Sequence, residues 1–161
     1  MNTTESPLPQ IQRVARELAQ SSGFLLARLG LGFKTRAIAR SEEAGFELYD
    51  YSVLAILAEG VRETQGTIAA TLGVDPSRLV ALLDSLEERA LVERQRDPLD
   101  RRRHVVSITA DGKRELARIR RVFKQLEDDF FAPFDDETRA AFHELLIRLA
   151  ARNDPSCVFS E

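Results

Sequence analysis

Residues 64–109 decide the fold and read TQGTIAATLGVDPSRLVALLDSLEERALVERQRDPLDRRRHVVSIT. The stretch opens on Thr64, whose hydroxyl can accept a backbone N–H group from a first helical turn. Apolar residues then recur at helical spacing: Ile68, Ala69 and Leu72. Gly73 follows, where the residue after a helix adopts a positive φ. The pattern therefore predicts a short helix over 64–73.

A second helix is predicted directly after a turn of a few residues. Asp75 is a preferred N-cap residue, and Pro76 suits the first helical position. The apolar residues that follow fall on one helical stripe: Leu79, Leu82, Leu83 and Leu86. Two helices joined by so short a turn have helix-turn-helix geometry.

A hairpin, not a third helix, is predicted next. Residues 91–96, LVERQR, suit an exposed strand, and residues 103–109, RHVVSIT, suit a second one. Between them, DPLD at 97–100 has turn chemistry, with proline at the second position. Three consecutive arginines at 101–103 lie beside the tip. A basic hairpin placed after a helix-turn-helix is a wing.

The ordered set of these pieces resembles the winged helix-turn-helix of the MarR (multiple antibiotic resistance regulator) family of bacterial transcription factors. Four stretches carry the resemblance at matching spacing: 72–77, 86–92, 97–103 and 108–112. The helical flanks extend it over most of the chain. The resemblance implies a mainly α fold with a small β-hairpin wing, in which N- and C-terminal helices form a homodimer.

Composition sets the broad class of the protein. The chain has 161 residues, of which 43% are apolar, enough for one domain with a core. It shows neither an apolar run near ~18 residues nor an N-terminal signal pattern. A single cysteine excludes an internal disulfide and a thiolate metal cluster. We expect a soluble cytoplasmic protein with no membrane segment, metal or cofactor.

The distribution of charge favours one DNA-facing element. The net charge is −3, yet residues 89–103 carry six arginines against three acidic residues, a local +3 that leaves −6 on the rest. A basic element on an acidic body is typical of a protein that binds DNA through one face. The alternative is an ordinary solvated hairpin.

Long amphipathic helices are predicted on both sides of this lobe. The first covers the apolar pattern of 11–29, is weakened or bent by Gly30 and Gly32, and resumes until Gly45 ends it. A helix over roughly 48–59 follows it. After the wing, Thr109 can cap a helix that Pro133 stops, and Asp135 or Asp136 begins the last one.

The terminal helices have more apolar surface than one small core needs. Packing two copies together would cover these stripes, as the resemblance also implies; the alternative is that they fold back within one chain. We therefore divide the chain into an N-terminal dimerisation helix (1–46), a DNA-binding lobe (47–109) and C-terminal dimerisation helices (110–161).

Candidate DNA contacts lie in both helices of the pair. The first turn of a recognition helix enters the major groove, which places Ser77 near a phosphate or base edge and Arg78 near guanine. Gln65 and Thr67 begin the preceding helix, where backbone N–H groups can bind a phosphate. Ala90 stands where the family commonly has glycine; a left-handed alanine costs roughly 1 kcal/mol, which leaves a different turn open.

The resemblance assigns roles in the wing. It implies that Arg102 enters the minor groove, where narrow A·T-rich tracts attract guanidinium groups. Asp100 would hold Arg102 by a charge-assisted hydrogen bond; the alternative is a plain turn residue. Arg101 and Arg103 would contact phosphates or brace the hairpin.

The resulting functional hypothesis is a ligand-responsive repressor that binds a pseudo-palindromic operator as a homodimer. The resemblance implies a small effector between the dimer helices and the DNA-binding lobe, where Phe33, Tyr49 and Tyr51 could line a cleft; the alternative is core packing. No catalytic motif surrounds His104 or His143. Two other functions stay open, a winged-helix protein-interaction module and an effector-independent architectural DNA binder.

Overall fold

The structure, a computed structural model, describes residues 15–60, 63–97 and 104–154. In chain order its elements are α1 (Arg16–Ala19), α2 (Ser22–Glu43), α3 (Leu48–Ala58), β1 (Glu63–Thr64), α4 (Gln65–Leu72), α5 (Pro76–Glu88), β2 (Val92–Arg96), β3 (His104–Ile108), α6 (Ala110–Phe130) and α7 (Asp136–Asn153). This is the predicted mainly α fold with a hairpin wing. Among the described residues, no helix is both long enough and apolar enough to cross a membrane.

The chain forms two compact units, residues 1–35 and 36–161, and α2 passes from one into the other. In the first unit, the Phe24 N–H donates to Ser21 Oγ at 3.2 Å and caps the start of α2. The helix then runs without interruption through Gly30 and Gly32. The two glycines, predicted to weaken or bend the helix, do not end it, because each costs a helix only about 1 kcal/mol. The break within the predicted helical stretch lies earlier, at Gln20 and Ser21.

Glycine does end α2, as predicted. Gly45 has a φ of +79°, and the Phe46 N–H donates to the carbonyl of Ser41 at 3.0 Å. This bond closes the last turn of the helix. It also turns the chain so that Phe46, which is buried, enters the core of the second unit.

The core of the second unit lies between α3, α5, α6 and the sheet. Helix α3 packs on α6, and α5 packs on α4 and on β2. The fully buried apolar side chains come from every one of these layers: Val53, Leu54, Ile68, Leu79, Leu83, Leu86, Val106, Leu116 and Ile119. The predicted stripe of the second helix of the pair is therefore its buried face.

The two helices of the pair are set by local capping. The Thr67 N–H donates to Thr64 Oγ1 at 3.2 Å, and Gly73 is left-handed with a φ of +61°. The Ser77 N–H donates to Asp75 Oδ1 at 2.8 Å at the start of α5. All three features confirm the prediction of a helix-turn-helix over 64–88.

The wing is part of a three-stranded antiparallel sheet with the order β1-β3-β2. Val92 pairs with Ile108 and Arg96 with His104 across the hairpin. The sequence did not predict β1, since its two residues have no pattern of their own. They are a strand only because β3 pairs with them, Glu63 with Val106 and Thr64 with Val105.

The turn after α5 matches the glycine-type ending despite its alanine. Ala90 has a φ of +57°, and the Leu91 N–H donates to the carbonyl of Leu86 at 2.9 Å. The turn is bonded to the start of α6, because Thr109 Oγ1 donates to the carbonyl of Ala90 at 2.7 Å. Gly112 lies so close that an added Cβ would stand 2.0 Å from the carbonyl oxygen of Leu91.

Helix α7 differs in burial from α3, α5 and α6 of the second unit. Asp135 caps it by accepting from the Thr138 N–H at 2.8 Å, as predicted. All of its residues are described, and none of them is buried. Leu145 and Leu149 are each more than half exposed. Exposed apolar stripes of this kind are typical of interaction surfaces.

Replacing Ala90 by glycine should stabilise the protein. Glycine adopts a positive φ without the clash between Cβ and carbonyl oxygen, so we expect Ala90→Gly to raise the free energy of unfolding by about 0.5–1 kcal/mol. Ala81→Gly, at an exposed position inside α5, is the matched control and should lower it by about 1 kcal/mol. Urea denaturation measures both, and equal losses would contradict the strain at Ala90.

Candidate nucleic-acid interface

The first turn of α5 is open to solvent. Pro76, Ser77 and Arg78 are exposed, and Val80 follows them on the same side. Ser77 Oγ donates to Asp75 Oδ1 at 2.5 Å, and this bond is the main reason why the pKa of Asp75 is lowered. The serine hydroxyl proton is therefore occupied within the chain. Ser77 can still accept a hydrogen bond from a base, whereas donation to a phosphate would require breaking the bond to Asp75.

Arg78 rests on an aromatic ring. Its guanidinium carbon lies 4.7 Å from the ring centroid of Tyr49, in the first turn of α3. Tyr49 is half-buried, and Arg78 is exposed on the outer side of it. One of the residues predicted for DNA thus contacts one predicted for the effector.

At the start of α4, the Thr67 side chain is bonded to the cap of its own helix. Thr67 Oγ1 accepts the Thr64 N–H at 2.9 Å and donates to the Thr64 carbonyl at 2.8 Å. Gln65 is half-buried. Thr67 therefore helps to build the helix start, and a phosphate bound there would be held by backbone N–H groups.

Two of the six arginines in residues 89–103 are already paired with carboxylates of the chain. Arg94 in β2 donates from Nε to Glu87 Oε2 at 2.9 Å and also pairs with Asp84, so it binds the wing to α5. This contact lowers the pKa of Glu87 and raises the pKa of Arg94. Because Arg94 is already paired, the expected local charge of +3 overstates the positive charge that this region can present to DNA. Asp100, Arg101, Arg102 and Arg103 lie outside the described residues.

Arg89 is the second arginine of this stretch that is paired within the chain, in an ion pair that the sequence did not lead us to predict. Arg89 Nη1 donates to Asp50 Oδ2 at 2.7 Å, and Asp50 is only 1% exposed. The same oxygen accepts the Glu47 N–H at 3.1 Å, which closes the first turn of α3. The signal was available, since Asp50 is a carboxylate inside the apolar run LYDYSVLAILA.

The pair continues into α6. Arg89 Nη2 lies 3.7 Å from Glu115 Oε1, and Arg118 donates to both oxygens of Glu115, at 2.7 and 2.9 Å. The Arg118 guanidinium lowers the pKa of Glu115 foremost, with Arg89 adding to the effect. The end of the recognition helix α5 is thus linked by charge to α3 and α6.

The remaining predicted effector residues are in different surroundings. Tyr51 stacks on Phe123 of α6 with ring centroids 4.7 Å apart, and Phe46 packs on the same ring at 5.9 Å. Tyr51 is half-buried there. Phe33 belongs to the part of α2 in the first unit.

Removing Arg89 should be costly because it leaves the buried Asp50 carboxylate without its cation. We expect Arg89→Ala to lower the free energy of unfolding by about 3 kcal/mol. Arg40→Ala is the matched control: its ion pairs to Glu43 and Asp129, both at 3.8 Å, are exposed, and such pairs contribute about 0–1 kcal/mol. Denaturant titration gives both values.

A second variant separates charge from packing. Asp50→Asn in the Arg89→Ala background removes the uncompensated charge and should recover part of the loss. No recovery would mean that the cost comes from lost packing of the arginine side chain.

Comparison with known proteins points to one family. The profile of the MarR family matches residues 44–103. A regulatory protein for the hcr operon of Thauera aromatica is 34% identical over 99 residues. The match covers 62% of this chain and 60% of that relative, so it spans less than two thirds of the relative's length.

Solved structures match nearly end to end. A MarR-family regulator from Rhodococcus sp. RHA1 is 30% identical with a TM-score of 0.73, over 84% of this chain and 98% of its own. The transcriptional repressor CouR bound to a 23-mer DNA duplex is 30% identical with a TM-score of 0.76, over 86% and 99%. CouR from Rhodococcus jostii RHA1 bound to p-coumaroyl-CoA is 28% identical with a TM-score of 0.71, over 91% and 100%. The identity and near-complete coverage of these structures show that the chain belongs to the MarR family of transcriptional regulators.

Proposed function

We propose that the protein is a cytoplasmic, homodimeric repressor that binds a pseudo-palindromic operator and leaves it when a small effector binds. The exposed first turn of α5 carries this proposal, because it presents the Arg78 guanidinium at the start of a helix whose other face is buried in the core. The DNA-bound form of CouR supports it. Such a helix reads base edges in the major groove while a wing follows the backbone.

The proposed contacts divide into two kinds. Arg78 reads guanine, with Ser77 as an acceptor at a base edge; Gln65 and Thr67 place the start of α4 against a phosphate. In the wing, Arg102 enters the minor groove, held by Asp100, and Arg101 and Arg103 contact phosphates. These four wing residues fall outside the described part of the chain, and their roles follow from the resemblance alone.

Two copies are needed to cover the exposed leucines. Helix α7 leaves Leu145 and Leu149 open, and α2 leaves Leu25, Leu26 and Leu29 open. We propose that the helices of 1–46 and 110–161 pair across a two-fold axis. The two recognition helices would then reach half-sites about 34 Å apart, one turn of DNA.

Dimerisation is tested by a charge in the apolar stripe. Light scattering should give about twice the 18.1 kDa chain mass. Leu145→Asp should shift the population to monomer, since a buried carboxylate in an apolar interface is costly. Glu144→Asp, which changes the neighbouring position without adding charge, should leave the dimer intact. A wild-type monomer at micromolar concentration would contradict the proposal.

DNA recognition is tested on an operator selected from a random duplex pool. Fluorescence anisotropy should show a steep fall of log K with log salt between roughly 50 and 200 mM. Arg78→Ala should cost about 1–3 kcal/mol and relax preference at one base pair per half-site. Arg152→Ala, at the exposed end of α7, removes the same charge outside residues 47–109 and should change neither quantity.

The effector arm of the same assay uses p-coumaroyl-CoA as the probe. The ligand-bound form of CouR supports an aromatic acid or its thioester as the effector, and Phe33, Tyr49 and Tyr51 stay the predicted contacts. Release of DNA by the probe supports ligand response. DNA binding indifferent to a panel of aromatic acids and thioesters favours the architectural alternative, and no enrichment of any duplex favours the protein-interaction module.

A further inference from the structure

The contact between Tyr49 and Arg78 differs from the other arginine–ring contacts of the described residues. Arg36 over Phe130, Arg118 over Phe46 and Arg139 over Phe131 lie at 5.4, 5.5 and 5.8 Å, against 4.7 Å for Arg78 over Tyr49. Arg118 and Arg139 are also bound to carboxylates. Within the described ranges, no carboxylate lies within ion-pair distance of Arg78. The Tyr49 ring is the partner that the described part of the chain gives the Arg78 guanidinium.

A ring fixes a guanidinium group without using its hydrogen bonds. The aromatic face attracts the flat face of the cation, and the N–H groups point outward in the guanidinium plane. Those same N–H groups form the bidentate pair with guanine O6 and N7. A carboxylate partner would compete for them, whereas the tyrosine ring leaves them free and reduces the rotamer freedom lost on binding.

Tyr49 itself is held in a fixed relation to α5. Its neighbour Asp50 closes the first turn of α3 through the Glu47 N–H and pairs with Arg89 at the far end of α5. Arg78 and Arg89 are separated by 11 residues of the sequence, roughly 16 Å along a helix. The first turn of α3 therefore contacts the recognition helix near both of its ends.

We propose that Tyr49 is a positioning residue for DNA recognition, which holds the Arg78 guanidinium ready for guanine and so sets base preference without touching DNA. The inference rests on the proposed function, in which Arg78 reads a base. It assigns to α3, outside the helix pair and the wing, a share in specificity.

The experiment compares two substitutions of the ring on the selected operator. The readout is base preference, the ratio of Kd for an operator changed at the Arg78-dependent base pair to Kd for the operator itself. Tyr49→Leu removes the ring and should lower this ratio about 2–5-fold per half-site. Tyr49→Phe keeps the ring and should retain it. The salt slope should stay the same in both, because the number of phosphate contacts is unchanged.

A double-mutant cycle ties the effect to Arg78. In the Arg78→Ala background, Tyr49→Leu should change base preference no further. Phe130→Leu is the matched control: it removes the ring beneath Arg36, outside residues 47–109. It should leave the preference intact, because any loss of dimer affinity enters both Kd values of the ratio. Thermal unfolding of each variant checks folding, and Tyr49→Met replaces Tyr49→Leu should the latter unfold early.

The outcomes are distinct. An effect of Tyr49→Leu that persists without Arg78, or tighter operator binding by Tyr49→Leu, overturns the inference; the second result would mean that the ring restrains Arg78 from DNA. Unchanged preference in Tyr49→Leu overturns it as well. Base preference that survives Arg78→Ala, or is absent from the wild type, instead overturns the proposed role of Arg78 and leaves nothing for Tyr49 to position.

Discussion

The buried pair between Asp50 and Arg89 is the contact on which the DNA-binding lobe depends. A carboxylate that is 1% exposed is tolerated only with a cation and hydrogen bonds in place. Here the cation comes from the residue that ends the recognition helix, and one hydrogen bond comes from the turn that starts α3. Glu115 and Arg118 extend the charges into α6. Because Arg89 ends α5, the buried Asp50 carboxylate has its cation only when the recognition helix keeps this orientation.

The arginines show why net charge is a poor guide to an interface. Arg89 and Arg94 look equivalent to the wing-tip arginines in the sequence, yet each is paired with two carboxylates of the same chain. Arg78 has instead an aromatic partner that leaves its donors available. What a side chain already binds decides what it can offer to DNA.

Local features could be predicted from the sequence, and distant pairings could not. Thr64, Gly73 and Asp75 act within a few residues of themselves, as does Thr109 in its role as the cap of α6, so capping chemistry located the helix ends. Strand β1 exists through residues some forty positions away, and Asp50 meets Arg89 at a separation of 39. Ala90 adopts the left-handed conformation that usually requires glycine. Two hydrogen bonds hold the turn there, one from the Leu91 N–H to the Leu86 carbonyl and one from Thr109 Oγ1 to the Ala90 carbonyl.

The junction at Thr109 has a mechanical consequence. One hydroxyl bonds the carbonyls of Ala90 and Leu91 and also accepts the Gly112 N–H, while the absent side chain of Gly112 lets α6 lie directly against that backbone. These bonds and the close approach of Gly112 join the start of α6 directly to the backbone that follows α5. A rotation of α6 would therefore be passed on to the end of the recognition helix. In the proposed homodimer, an effector that rotates α6 would therefore move the two recognition helices relative to each other through this junction.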